Sequence, residues 1–167
     1  MQLTTKRLEL VVLDARQLKL WTENLPLLEA ELNCSYQAEP MADFFQEIVR
    51  GQLAATEKDP ENAAWHSFWF LIRKSDRVVV GSADFKDVPN ASGEVEIGYG
   101  LSTKFEHQGF MTEAVEAMCV WALAQSGVLT VLAETERDGL ASQNVLTRCG
   151  FRKFQEEPTC WWSRKKA

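Results

Sequence analysis

The chain has 167 residues and a formal net charge of −6, with 46% hydrophobic and 25% charged residues. That length suits one domain spanning 1–167 with a sizeable core. The composition is that of an ordinary soluble globular protein, and the acidic balance offers no basic field for nucleic acid while mildly favouring a cationic partner such as an amine. His66 and His107 lie far apart, and Cys34, Cys119, Cys149 and Cys160 show no Cys-x-x-Cys spacing. No metal is therefore expected, and free thiols in a reducing cytoplasm are. The start carries no signal-peptide core, and no run is long enough to span a membrane.

Arg7 to Leu13 alternates and reads as a first strand, after which Asp14 caps a helix to about Trp21. Asn24 to Pro40 reads as irregular, broken by Pro26 and Pro40. Met41 to about Thr56 has apolar residues at helical spacing, and Lys58 to Asn62 is a polar loop. Trp65 to Arg73 and Arg77 to Asp87 read as a hairpin turned at Lys74-Ser75-Asp76. Gly93 to Leu101 alternates again, with Val95, Ile97, Tyr99 and Leu101 on one face and Glu94, Glu96, Gly98 and Gly100 on the other. Phe110 to Gln125 is rich in Ala, Met and Leu and reads as a helix ending near Gly127. Leu129 to Glu134 is a strand, parallel to its neighbour because a helix intervenes. Leu140 to Arg148 is a short helix, and Phe151 to Gln155 with Thr159 to Arg164 form a closing hairpin.

The chain is organised around the strand, turn and helix from Glu94 to Gln125. A short polar turn containing Gly109 feeds the long helix, so unpaired N–H groups and the positive end of the helix dipole meet there. That is an anion site, and Gly109 lets oxygens approach the backbone. Gly98 and Gly100 leave bare backbone along the preceding strand, which suits close approach by a long ligand carrying a pyrophosphate. A plain turn before a helix accounts for Gly109 equally well.

Glu96-Ile97-Gly98-Tyr99 followed by Gln108-Gly109-Phe110-Met111-Thr112-Glu113-Ala114 resembles the acetyl-CoA signature of the GNAT-type N-acetyltransferases, in the branch that holds the ribosomal-protein N-terminal acetyltransferases. Ala141-Ser142-Gln143-Asn144-Val145-Leu146, ending in Cys149-Gly150-Phe151, resembles the helix that closes that fold, and Leu3 to Leu10 resembles its first strand. The resemblance implies an α+β fold with a mixed, mostly antiparallel sheet of six to seven strands, a central splay and about four helices. It implies that His107, Gln108, Gly109, Phe110, Met111 and Thr112 hold the pyrophosphate. It also implies that the backbone from Tyr99 to Leu101 pairs with the pantetheine arm and that Asn144 and Arg148 reach the adenine side. Glu106 and His107 depart from the family's usual Arg, Gln or Trp and Gly.

Glu96 is the first candidate for the base that deprotonates an amine, or else the solvent side of a half-buried strand; Glu134 is a second. Ser142 is the candidate for protonating the departing thiolate, or else a helix N-cap. Many relatives use a tyrosine there, but Tyr36 and Tyr99 are the chain's only two, and Gly139 stands where the family usually has Asn. Phe44 and Phe45 are candidate walls of the acceptor cleft, and Glu29, Glu31, Glu39, Asp43 and Glu47 lie nearby in sequence. The implied function is transfer of acetyl from acetyl-CoA to a primary amine, either a small molecule or a protein N-terminus, by direct attack in a ternary complex. The other reading is a catalytically idle CoA-binding sensor or assembly module. A cytoplasmic monomer or homodimer, with no nucleic-acid or membrane partner, is expected.

Overall fold

The computed structural model describes residues 1–167. Its first strand is split: β1 (Gln2–Thr4) and β2 (Leu8–Val12) form an antiparallel hairpin, closed where the Thr5 N–H donates to Leu8 O at 2.9 Å. Asp14 then starts α1 (Ala15–Glu23). Its carboxylate accepts from the Gln17 N–H at 2.8 Å, and the Gln17 side chain accepts in return from the Asp14 N–H at 3.0 Å.

The stretch expected to be irregular contains α2 (Leu25–Leu32) and β3 (Ser35–Tyr36). Pro26 does not break the helix, because it sits in the first turn, where a missing N–H has no partner to lose. Next come α3 (Asp43–Lys58), α4 (Ala63–His66) and β4 (Phe68–Arg73), so Trp65 belongs to a helical turn and not to the strand. The remainder is β5 (Val78–Phe85), β6 (Glu94–Leu101), α5 (Phe110–Ala124), β7 (Thr130–Thr135), α6 (Leu140–Arg148), β8 (Arg152–Gln155) and β9 (Cys160–Lys165). The sheet has nine strands, the short β1 and β3 standing beyond the expected seven; α2 and α4 are the helices beyond the expected four.

The strand order is β1-β2-β4-β5-β6-β7-β9-β8, antiparallel except at β6–β7, with β3 added parallel to β5. Helices cover both faces. Phe68, Phe70 and Ile72 of β4 pack with Leu18, Trp21 and Val49 of α1 and α3. The alternate residues Trp69 and Leu71 pack with Val115, Met118 and Ala122 of α5. Period-2 alternation thus divides one strand between two cores.

Two irregularities in this sheet position the site. The first is a bulge. Leu71 pairs with Gly81 but Ile72 with Val79, so Val80 is the extra residue. Val78 and Val80 face the α5 core, yet so do Ala83 and Phe85. The alternation changes parity between Val80 and Ala83, and Ser82 and Asp84 consequently face α3. Bulges commonly re-aim side chains beside functional sites.

The second is a splay. β6 and β7 pair only at Glu94↔Thr130, Val95↔Val131 and Glu96↔Leu132. Beyond Glu96, the segment Ile97–Leu101 is bonded to β5 alone, while Ala133–Thr135 is bonded to β9 alone. The separation leaves one edge of Ile97–Leu101 unpaired, with backbone groups that need partners. No helix is long and apolar enough to cross a membrane.

Candidate active site

The turn into α5 is anchored by aromatic side chains. Phe105 and Phe110 are buried, and the Arg7 guanidinium lies 4.3 Å from the centre of the Phe110 ring. Arg7 Nε donates to Glu113 at 2.9 Å, Arg7 Nη1 to Gln108 O at 2.9 Å, and the Thr5 hydroxyl to Glu113 at 2.5 Å. Burial pushes the Glu113 carboxyl up, but the bonds from Thr5 and Arg7 outweigh it and hold the group below its ordinary range. Removing the guanidinium while keeping the alkyl stem, Arg7→Met, is expected to cost about 1–3 kcal/mol in urea unfolding, the worth of charged hydrogen bonds, and to weaken any ligand of the turn.

Between these anchors the backbone is turned outward. His107 has φ 63° and Gly109 φ 80°, both left-handed. A left-handed non-glycine residue is uncommon and stores strain, often at a ligand site. The first helical bond is Glu113 N–H to Gly109 O, and Gly109 caps α5 without any side-chain bond. No N–H from His107 to Thr112 donates within the chain outside the helix. These amides converge at a helix N-terminus, the arrangement that binds phosphate.

A cavity of about 330 Å³ opens in front of them. One wall is Glu106, His107, Gly109, Phe110, Met111 and Thr112; a second is Tyr99, Gly100 and Leu101 of β6. The third is α6, through Ser142, Asn144, Val145 and Arg148. Every residue expected at the cofactor lines this cavity except Gln108, whose side chain turns back to donate to Lys104 O at 3.2 Å. Ser142 does not cap α6: the helix begins at Leu140 with Gly139 as cap, so Ser142 lies inside the first turn. Its hydroxyl is free of bonds within the chain, while its carbonyl accepts from the Tyr99 phenol at 3.0 Å. Burial pushes that phenol above its ordinary range, so it stays a donor.

On the other side of the sheet lies a second cavity of about 420 Å³, against α3. Phe45, Ile48, Phe68 and Tyr36 supply apolar walls, and Asp84 and Lys86 are its charged floor. Tyr99 and Gly100 belong to both cavities, so the two meet at the unpaired edge of β6. Phe44 is 80% exposed and stands outside this wall. Glu39 reaches the wall, but Glu29 accepts from the Tyr36 N–H at 2.7 Å and Glu31 is paired with Arg16 at 2.5 Å.

Glu96 is half-buried. Burial pushes its carboxyl up, Lys86 draws it down, and Glu134 and Asp84 push it up further. It lies on the open face of β6 but forms no part of either cavity wall. Glu134 accepts from the Thr159 hydroxyl at 2.5 Å, away from the site. Asp84 is the acid that sequence reasoning missed. Counting by twos from Val78 puts it in the α5 core, and only the bulge at Val80 reverses that. The one signal was an acid inside the apolar run Val78–Phe85.

The architecture is a splayed sheet with free amides at the head of its central helix. Residues 14–152 match the acetyltransferase (GNAT) domain, and the chain is a member of that family. It is similar to the uncharacterized N-acetyltransferase YjdG of Bacillus subtilis, 28% identical over 153 residues, 85% of this chain and 90% of the relative. Among solved structures it resembles RimL, a ribosomal L7/L12 alpha-N-protein acetyltransferase in complex with coenzyme A, with a TM-score of 0.69 at 17% identity, covering 99% of this chain and 98% of that one. The ribosomal-protein-S5-alanine acetyltransferase of Vibrio fischeri matches with a TM-score of 0.71 at 13% identity, covering 99% and 97%. At these identities the structures establish the shared fold.

Proposed function

We propose that the protein is an acetyl-CoA-dependent N-acetyltransferase whose primary-amine acceptor attacks the thioester directly. The observation that carries this reading is the meeting of two cavities, one on each side of the sheet, at Tyr99 and Gly100. Acetyl-CoA enters from the α5 side. Its diphosphate takes the amides of Gln108 to Thr112, its pantetheine arm pairs with the free edge of Tyr99 to Leu101 as an added strand does, and Asn144 and Arg148 flank its nucleotide. The thioester then lies where the acceptor cavity opens.

Within the chain the roles divide as follows. A backbone N–H near Leu101 meets the tetrahedral oxyanion. Ser142 offers its hydroxyl to the leaving sulfur. A carboxylate on the open face of β5 and β6, where Glu96 lies, takes the ammonium proton. An acetyl-cysteine intermediate has no support, since burial pushes the thiols of Cys149 and Cys119 up to about 11 and about 12, and neither lines a cavity. Reduced thiols are consistent with a cytoplasmic enzyme.

Calorimetric titration with acetyl-CoA and with free adenine nucleotides tests the cofactor, and CoA release with a panel of amines tests the transfer. Acetyl-CoA is expected to bind far more tightly than the nucleotides; equal or absent binding refutes the reading, and binding without turnover of any amine favours an idle sensor. Glu106 faces the diphosphate from the cavity wall as a misplaced anion. Glu106→Gln is expected to tighten acetyl-CoA about two- to five-fold, the scale of a partly solvated charge at a helix end, and more so at low salt.

A further inference from the structure

Resting on the acetyltransferase reading, we propose that Asp84 receives the acceptor's ammonium and takes its proton, and that the acceptor is a primary monoamine with an apolar body, held between β5 and α3.

Asp84 is 2% exposed, yet it lines the cavity against α3. Its Oδ2 is the one buried side-chain polar atom in the chain that lacks a hydrogen-bond partner. The nearest cation, Lys86 Nζ, stands 3.6 Å from that oxygen, outside hydrogen-bond reach. A buried carboxylate oxygen without a donor is costly. Gly98 of β6 lets the carboxyl lie close over the strand: a Cβ there would come within 2.8 Å of Asp84 Oδ1 and 2.7 Å of Lys86 Nζ. An ammonium entering this cavity meets the Asp84 carboxyl in its lining, one oxygen of which no donor in the chain satisfies.

The walls select the rest of the acceptor. Tyr36, Phe45, Ile48 and Phe68 present rings and branched carbons, which suit an aromatic or branched aliphatic body. The only other acid on the wall is Glu39, whose carboxylate already accepts from the Thr103 N–H at 3.3 Å. A polyamine would bring its further charges toward Lys86, with Glu39 the one other acid on the wall. One cationic head and an apolar body fit what the cavity presents.

The groups facing Asp84 are Lys86 just past the end of β5, Glu96 from β6 and Gln52 from α3; His66 of α4 is turned to Asp59 and Asp87. Burial raises the Asp84 carboxyl to about 6, while Lys86 and Gln52 draw it down. Above that pH it is ionised and able to take a proton. Glu96, off the wall, does not touch the amine.

In the step, the ammonium gives one proton to Asp84, which passes it to solvent. The nitrogen lone pair attacks the thioester carbonyl carbon, the C–N bond forms, and the C–S bond breaks with its electron pair leaving on sulfur. A second nitrogen proton ends on that sulfur, so amide, free CoA thiol and one released proton balance.

The test measures CoA release from phenethylamine, isoamylamine, spermidine, an aminoglycoside and a short peptide, for the parent, Asp84→Asn and Glu96→Gln, with acetyl-CoA affinity measured on each. The two monoamines are expected to exceed spermidine by at least about ten-fold in kcat/KM. Asp84→Asn is expected to lose roughly 100-fold or more in kcat/KM, the worth of a positioned base, with acetyl-CoA affinity unchanged. The parent's kcat/KM is expected to rise with pH through about 6, and that limb to vanish in Asp84→Asn but persist in Glu96→Gln. The inference is overturned if Asp84→Asn acetylates as well as the parent, if spermidine or the peptide is preferred, or if a protein that binds acetyl-CoA turns over no monoamine. Failure of the parent to bind acetyl-CoA overturns the acetyltransferase reading itself, so the two failures are distinct.

Discussion

Gly109→Val is expected to weaken acetyl-CoA binding severely. Gly109 sits at φ 80°, and a Cβ placed there would already stand 3.3 Å from the Arg7 guanidinium. A β-branched residue pays about 1–2 kcal/mol for the left-handed conformation alone. To escape it the turn must rotate, and rotation takes the amides of Gln108 to Thr112 out of convergence. The valine methyls also occupy the space the phosphate oxygens need. We expect the dissociation constant measured by calorimetry to rise at least about 100-fold, roughly 2.7 kcal/mol, with a fall of a few degrees in thermal midpoint. An affinity within three-fold of the parent would mean that the phosphates lie elsewhere.

Gly100→Phe separates function from folding more sharply. A Cβ built at Gly100 meets nothing within 4 Å, so the strand accepts a side chain without clash. The face is that of Gly98 and Glu96, toward the acceptor cavity, at the point where the two cavities meet. A phenylalanine ring there stands between amine and thioester. A 1 Å misplacement already costs about 100-fold, so kcat/KM is expected to fall by roughly 1,000-fold or more. The thermal midpoint is expected to stay within about 2 °C, in keeping with an exposed site that needs no repacking, and acetyl-CoA affinity to stay within a few-fold. Retained turnover would move the acceptor route away from Gly100.

The parts of the fold legible in the sequence are those governed by local periodicity. The alternation of Gly93–Leu101 marks β6 and assigns its faces, with Val95 and Ile97 buried as the pattern requires. Leu140–Arg148 marks α6, and Asp14 caps α1 as read. The expected splay is present, since β6 and β7 separate after Glu96 and Leu132. What escaped reading was decided by contacts distant in sequence. The break at Thr5 to Arg7 is held by Glu113, more than a hundred positions away. Pro26 reads as a breaker in sequence, but its place in the first turn of α2, and not its presence, decides its effect. Serine suits an N-cap, but Gly139 already starts the helix and leaves Ser142 inside its first turn. Asp84 was invisible because one inserted residue at Val80 reverses every later side chain of the strand, which no count of twos reveals.

The central claim is that free amides at the head of α5 and the unpaired edge of β6 together hold acetyl-CoA. Amide hydrogen exchange with and without acetyl-CoA tests it most directly. The account predicts new protection at Gln108 to Thr112 and from Tyr99 to Leu101, and little change in β8 or α2. Protection confined to other segments, or none at saturating acetyl-CoA, would contradict it.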